Sequence, residues 1–208
     1  GYPCVNFSLG ANVSTNGEVF GSLFFNRPQL GEGLDPLGGG RFRFSVGAAT
    51  LSAGECARRE VRRAWPFATV RLADPRLDGV TIALRVTVPN ALDDVFTGSL
   101  PVGLAEISLT NSASSPRTVS IQFDASGFLK EPPRPLASDW TAGVQAGRDF
   151  LGWVKPIDMS GADANPAATV SLAAHGDTTL RFMIGHSATA SAASVPASPL
   201  RAARALCA

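Results

Sequence analysis

Hydrophobic positions recur at every second residue along much of the chain. In "RFRFSVGA", Phe42, Phe44 and Val46 alternate with Arg41, Arg43 and Ser45. In "TIALRVTV", Ile82, Leu84, Val86 and Val88 take one side, and Thr81, Ala83, Arg85 and Thr87 the other. "GLAEISLT" sets Leu104, Glu106 and Ser108 against Ala105, Ile107 and Leu109, and "RTVSIQFD" follows with Val119, Ile121 and Phe123. "TVSLAA" and "TTLRFMIG" continue the theme. A period of two belongs to strands, whose successive side chains face opposite ways, and these runs are rich in β-branched and aromatic residues. Turn formers separate them: Asp74-Pro75, Asp78-Gly79, the run 111–116 and His175-Gly176-Asp177. Many short alternating strands at hairpin spacing predict an all-β fold, an antiparallel two-sheet β-sandwich.

Three segments break this rhythm. Residues 31–40, "GEGLDPLGGG", are glycine-rich but lack the Lys-Ser/Thr of a phosphate-binding loop, and read as a flexible connection. Residues 130–137, "KEPPRPLA", are proline-rich and read as an ordered crossover loop, because proline cannot pair in the middle of a sheet. Residues 187–198 are almost entirely Ala, Ser, Thr and Pro, a linker composition, after which Ser198 and Pro199 carry the start signal of a short helix. The expected organisation is a sandwich domain over 1–186, followed by a linker and candidate short helix over 187–208.

Composition narrows the function classes. The chain has 208 residues, 45% hydrophobic and 17% charged, which fits a folded chain with a substantial core. A net charge of +1 supplies no basic field for nucleic acid. The cluster Arg58-Arg59-Glu60-Val61-Arg62-Arg63 fits a solvated strand face better than a phosphate patch. No apolar run approaches the roughly 20 residues of a membrane span. The chain opens on Gly1 without a signal-peptide pattern, which implies a start removed upstream. Its cysteines are Cys4, Cys56 and Cys207, with no CxxC spacing and with His175 and His186 far away, so neither zinc nor another cofactor is expected. They fit either a Cys4–Cys56 disulfide, both residues lying in the first third, or three buried thiols. The triplets Asn6-Phe7-Ser8 and Asn12-Val13-Ser14 are glycosylation candidates and favour an extracellular or secretory location; polar residues on a strand surface are the alternative.

Catalytic constellations are sparse. Glycosidases use two carboxylates about 5–10 Å apart. Asp93-Asp94, Glu106, Asp124, Asp139, Asp149 and Asp158 supply carboxylates without a recognisable pairing. Asp139-Trp140 has the makings of a sugar contact, with an aromatic face for a pyranose and a carboxylate for its hydroxyls, and Trp153 can serve likewise. The alternative for Trp65, Trp140 and Trp153 is packing within or between the sheets. There is no G-x-S-x-G elbow, neither histidine has a recognisable partner, and Cys56 lacks a nucleophile signature.

The order of the pieces resembles a known family. "NFSLGANVSTNGEVFGSLFFNRP" reads as two short strands about Asn16-Gly17, with Gly10, Phe24-Phe25 and the ending Asn26-Arg27-Pro28. It is similar to the opening of the N-terminal domain of glycoside hydrolase family 116, the non-lysosomal glucosylceramidases and related β-glucosidases. Pro66-Phe67-Ala68, Asp74-Pro75, a strand ending near Pro89, Ser99-Leu100-Pro101-Val102 and a strand–Asn–turn–strand hairpin resemble the next block. "VSLAAHGDTTLRFMIGHSA" resembles the strand pair that closes the domain. Where the family carries a longer, more aromatic stretch, this chain has "GEGLDPLGGGRFRFSVGA".

The resemblance implies an antiparallel sandwich packed against a catalytic (α/α)6 barrel that holds both catalytic carboxylates. No residue here inherits either role. The barrel, as a domain or subunit of the same enzyme, is the implied partner, with Asn26 and Arg27 as candidates for the domain interface, an ion pair within the domain being the alternative for Arg27. The expected function is that of a non-catalytic domain of a hydrolase acting on β-glucosides or glucosylceramide. A stand-alone carbohydrate-binding or structural sandwich is the alternative.

Overall fold

The computed structural model describes residues 7–9, 23–25, 35–37, 41–64, 67–87, 102–124, 129, 131–137, 141–147, 149–154, 159–160 and 166–186. Alternation becomes strand wherever one set of side chains finds a core. The strands are β1 (Phe7–Leu9), β2 (Leu23–Phe25), β3 (Asp35–Leu37), β4 (Arg41–Val46), β5 (Ala49–Ser52), β6 (Arg58–Ala64), β7 (Phe67–Ala73) and β8 (Val80–Thr87). They continue with β9 (Val102–Asn111), β10 (Arg117–Asp124), β11 (Arg134–Ala137), β12 (Thr141–Ala146), β13 (Asp149–Val154), β14 (Met159–Ser160), β15 (Ala167–Leu172) and β16 (Asp177–His186).

Two antiparallel sheets form the sandwich. One has the order β14-β15-β10-β4-β5 and the other β11-β12-β13-β16-β9-β8-β7-β6. Strands β6 to β9 are a simple meander, while β10 leaves for the opposite sheet and β16 returns to pair with β9. A separate three-stranded sheet, β1-β2-β3, pairs Phe7 with Phe25 and Leu23 with Leu37.

The expected inward sets are the ones buried. Phe42, Phe44, Val119, Ile121 and Phe123 from the smaller sheet share one cluster with Ile82, Leu84, Ile107, Leu109, Trp153 and Phe182 from the larger. Rings bridge the two layers. Phe42 lies 4.8 Å from Phe123 within the smaller sheet and 5.4 Å from Phe182 across the gap. Phe182 also lies 4.7 Å from Phe123 and 4.9 Å from Trp153. Such tilted and edge-to-face pairs add about 0.5–1.5 kcal/mol each beyond the area they bury.

Two segments expected to be loops contain strands. In the glycine-rich 31–40, β3 pairs with β2 through Leu37, Pro36 and Asp35. In the proline-rich 130–137, β11 forms an end of the larger sheet, pairing Pro135 with Val144. An edge position needs no ladder donor on the free side, so proline is tolerated there. The linker and helix expected over 187–208 lie outside the described residues, as does the Asn16-Gly17 turn.

One end of the sandwich is fastened by a buried amide. Asn111, 1% exposed, ends β9 where the chain crosses between sheets. Its Nδ2 donates to the Ser115 carbonyl at 2.9 Å and to the Ala173 carbonyl at 2.8 Å, while Oδ1 accepts from the Ala113 N–H at 3.0 Å. Its own N–H donates to the Gly176 carbonyl at 2.9 Å, and the His175 N–H donates to the Ala113 carbonyl at 3.1 Å. The β7–β8 turn joins the same corner. Ser112 donates to the Gly79 carbonyl from both N–H and Oγ, at 2.9 and 2.8 Å. Gly79 sits at φ +84°, and a Cβ there would come within 3.2 Å of Ser112 Oγ, so the turn needs glycine on both counts.

Replacing Asn111 tests this corner. Asn111→Ala leaves the Ser115 carbonyl and the Ala113 N–H without their partner, and the Ala173 carbonyl with the Gly176 N–H alone, and is expected to cost about 3 kcal/mol. In a domain of this size that lowers Tm by roughly 6–12 °C. Asn111→Asp, which turns the amide donor into an acceptor facing two carbonyls, is expected to cost at least as much. Thermal unfolding followed by circular dichroism checks both.

Candidate functional site

The outward face of the larger sheet carries the candidate site, and its shape follows from register. One row across the sheet runs Glu60, Arg71, Ala83, Ser108, Thr179, and the next runs Arg58, Ala73, Thr81, Thr110, Asp177. Long side chains stand on β6 and at Arg71, whereas Ala73, Ala83, Thr81, Ser108 and Thr110 are small. The step between them is a concavity of about 830 Å³, lined by these residues together with Arg59. Glu60 is its one carboxylate among the described lining residues.

Electrostatics make this hollow basic. Glu60 is held by Arg62 at 2.6 Å, in an exposed pair that contributes little to stability. Among the described residues, Arg58, Arg59 and Arg71 have no ion-pair partner. The next row neutralises itself, with Glu106 between Arg85 at 3.6 Å and Arg181 at 3.4 Å. Ser108 and Thr179 share a hydrogen bond of 3.0 Å on the floor.

A second cluster fixes where β6 begins. Ser52 donates to the Glu55 carboxylate from its N–H and its Oγ, at 2.6 and 2.7 Å, closing the 3-10 turn Ala53–Glu55. These bonds hold the Glu55 carboxyl below its ordinary value, the Ser52 N–H contributing most. Asp74 then ties the segment after this turn to the end of β7. Its carboxylate accepts from the Ala57 N–H at 2.8 Å, from the Arg76 N–H at 2.9 Å, and from Arg76 Nε and Nη2 at 2.8 and 2.9 Å. Arg76 Nη2 also donates to the Glu55 carbonyl at 2.7 Å. The Arg76 side chain, then its N–H, holds the Asp74 carboxyl well below the usual carboxylate range, and Asp74 raises Arg76 in return. Ala57 lines the concavity and precedes Arg58, so this anchor places the arginines.

Most residues singled out from sequence fall elsewhere. Trp153 is buried, packed between Phe42 and Phe182, and its indole N–H donates to the Pro166 carbonyl at 3.4 Å. It has no open face for a sugar, which corrects its candidacy as a carbohydrate contact: its strand position points into the inter-sheet core. Cys56 is a buried free thiol donating to the Ser52 carbonyl at 3.5 Å, and burial pushes its pKa up. Its expected partner Cys4 lies outside the described residues, as do Asp139, Trp140, Asn26, Arg27, Asn6 and Asn12.

The solvated strand face expected of "RREVRR" is what β6 presents, with all of Arg58 to Arg62 exposed. The hollow beside it was missed, because it depends on which small residues of β7, β8 and β9 fall next to those arginines. Among the described residues no group of three or more His, Cys, Asp or Glu is placed to hold a metal. No helix among them is long and apolar enough to cross a membrane.

The Asp74 anchor predicts a pH dependence of stability. A depressed folded pKa stabilises fully above the unfolded carboxyl's pKa of about 3.9, and the contribution is lost as pH falls from there toward the folded value. Asp74→Asn is therefore expected to lower Tm at neutral pH and to make Tm fall less steeply than in the parent below about pH 4. Thermal melts across acid pH check the difference in slope. No protein-family model matches the chain, and no curated protein matches it at a significant level.

Proposed function

We propose that the chain is a non-catalytic β-sandwich domain of a glycoside hydrolase acting on β-glucosides or glucosylceramide, packed against a catalytic (α/α)6 barrel. One observation supports this reading above the others. Two described residues that carry the resemblance to glycoside hydrolase family 116, Asp74 and Asn111, hold turns together. Asp74 caps the 3-10 turn Pro75–Leu77, with Pro75 at its first position, and Asn111 closes the corner after β9. Residues that fasten turns belong to a frame. The outward concavity, with Glu60 its one described carboxylate, does not have the paired carboxylates that hydrolysis of a glycoside uses.

The frame reading also sets how the contact would be made. Val61, 37% exposed, is the one exposed large hydrophobic side chain among the described residues. Contact with the barrel would therefore run through polar surface there, or through residues outside those described, Asn26 and Arg27 included.

The test is the intact mass of native material and of whatever co-purifies with it, with and without reductant, together with an assay on an aryl β-glucoside. A larger companion chain or a longer precursor that carries the hydrolase activity is expected. A lone 21.6 kDa species without companion would overturn the proposal and leave a stand-alone carbohydrate-binding or structural sandwich.

A further inference from the structure

The geometry points to a binding site for a phosphate or sulfate ester of a sugar or other polyol in the outward concavity beside β6. This inference does not depend on the proposed hydrolase role. Three observations carry it.

The first is unspent positive charge. Arg58, Arg59 and Arg71 all line the hollow, and none has an ion-pair partner among the described residues, while Glu60, the one carboxylate among the described lining residues, is already engaged by Arg62. Arg58 pairs in register with Ala73, and Arg71 lies two positions along the same strand, so Arg58 and Arg71 are diagonal neighbours on one face. Diagonal positions are about 7–8 Å apart at the backbone, within reach of two long guanidinium side chains converging on one oxyanion. The planar fork of arginine matches phosphate and sulfate oxygens two at a time.

The second is size. About 830 Å³ is far more than a bare oxyanion fills and lies in the range of small-molecule sites. The third is the floor. Thr81, Ser108 and Thr110 put hydroxyls next to the arginines, and each can donate to or accept from a polyol. Ala73 and Ala83 leave the room between them.

The site is assembled from a meander whose opposite face is core. Ile82, Leu84, Ile107 and Leu109 are buried beneath it, so the floor is rigid and the arginines alone are left to adjust.

The probes are glucose 6-phosphate, glucose 6-sulfate, glucose and inorganic phosphate, titrated into the full chain at low ionic strength and followed by calorimetry and amide chemical shifts. The ester is expected to bind at least about tenfold more tightly than glucose, with shifts at Arg71, Thr81 and Ser108 and with affinity falling as salt rises. Arg71→Ala is expected to remove most of that preference, and Arg71→Lys to retain part of it, because charge survives while the fork does not. Arg71 is exposed and supports no described contact, so an unchanged melting curve identifies the loss as one of binding. Equal binding of ester and glucose would overturn the proposal, as would an Arg71→Ala protein that binds like the parent. Tighter occupation of the same residues by a poly-glutamate peptide would also overturn it, marking a docking surface for an acidic protein segment instead.

Discussion

The chain crosses between the two sheets twice at the same end, from β9 to β10 and from β15 to β16, and the Asn111 amide is what those crossings share. Strand β9 leaves the larger sheet at Asn111, and β15 hands the chain back through residues 173–176. Both connections must turn over the rim of an apolar core, where backbone groups lose water. One buried side chain supplies two donors and one acceptor to them, each at hydrogen-bond distance. Asparagine suits the position because it carries both kinds of group on one planar unit. The β7–β8 turn is drawn in by Ser112, and Arg117 adds a 2.7 Å ion pair to Asp78. Turns from three places in the chain thus behave as one corner.

The two faces of the larger sheet differ in role. The inward face meets the smaller sheet through the Phe42, Phe123, Trp153 and Phe182 rings. The outward face is itself divided. Over β6 to β9 it carries the arginine-lined hollow, whereas Leu104, Phe150 and Met183, at 4%, 0% and 0% exposure, are buried although they lie opposite the core. Asp74 links the parts, since the carboxylate that fastens the β7–β8 turn also receives the Ala57 N–H at the start of β6. Hydrogen bonds thus run from the corner through the β7–β8 turn to the start of the edge strand that lines the hollow.

Much of the sandwich was legible in the alternation of apolar and polar residues. Strands β4, β8, β9 and β10 follow the expected phase, because each buries one face and a period of two leaves no other choice. The misreadings share a cause. Strands β3 and β11 lie in glycine- and proline-rich segments, where composition argues for loop, yet β3 pairs along β2 and β11 needs only one partner at a sheet edge. Trp153 was open to two readings, and its neighbours across the sheet decided between them. The hollow was illegible for a different reason. No single segment contains it, and Arg71 means little until register sets Ala83 and Ser108 beside it. Asn111 was readable as a turn former, but not as the residue that closes two turns 62 positions apart.

Hydrogen exchange at the corner is the most direct measurement of whether these turns are part of the frame. Among the amides of Asn111, Ser112, His175 and Gly176, each donates to a backbone carbonyl of this end of the sandwich. If the corner is the clamp described, they exchange as slowly as strands β9 and β16 and open only with the whole domain. Exchange at the rate of ordinary surface turns, with β9 and β16 still protected, would contradict it.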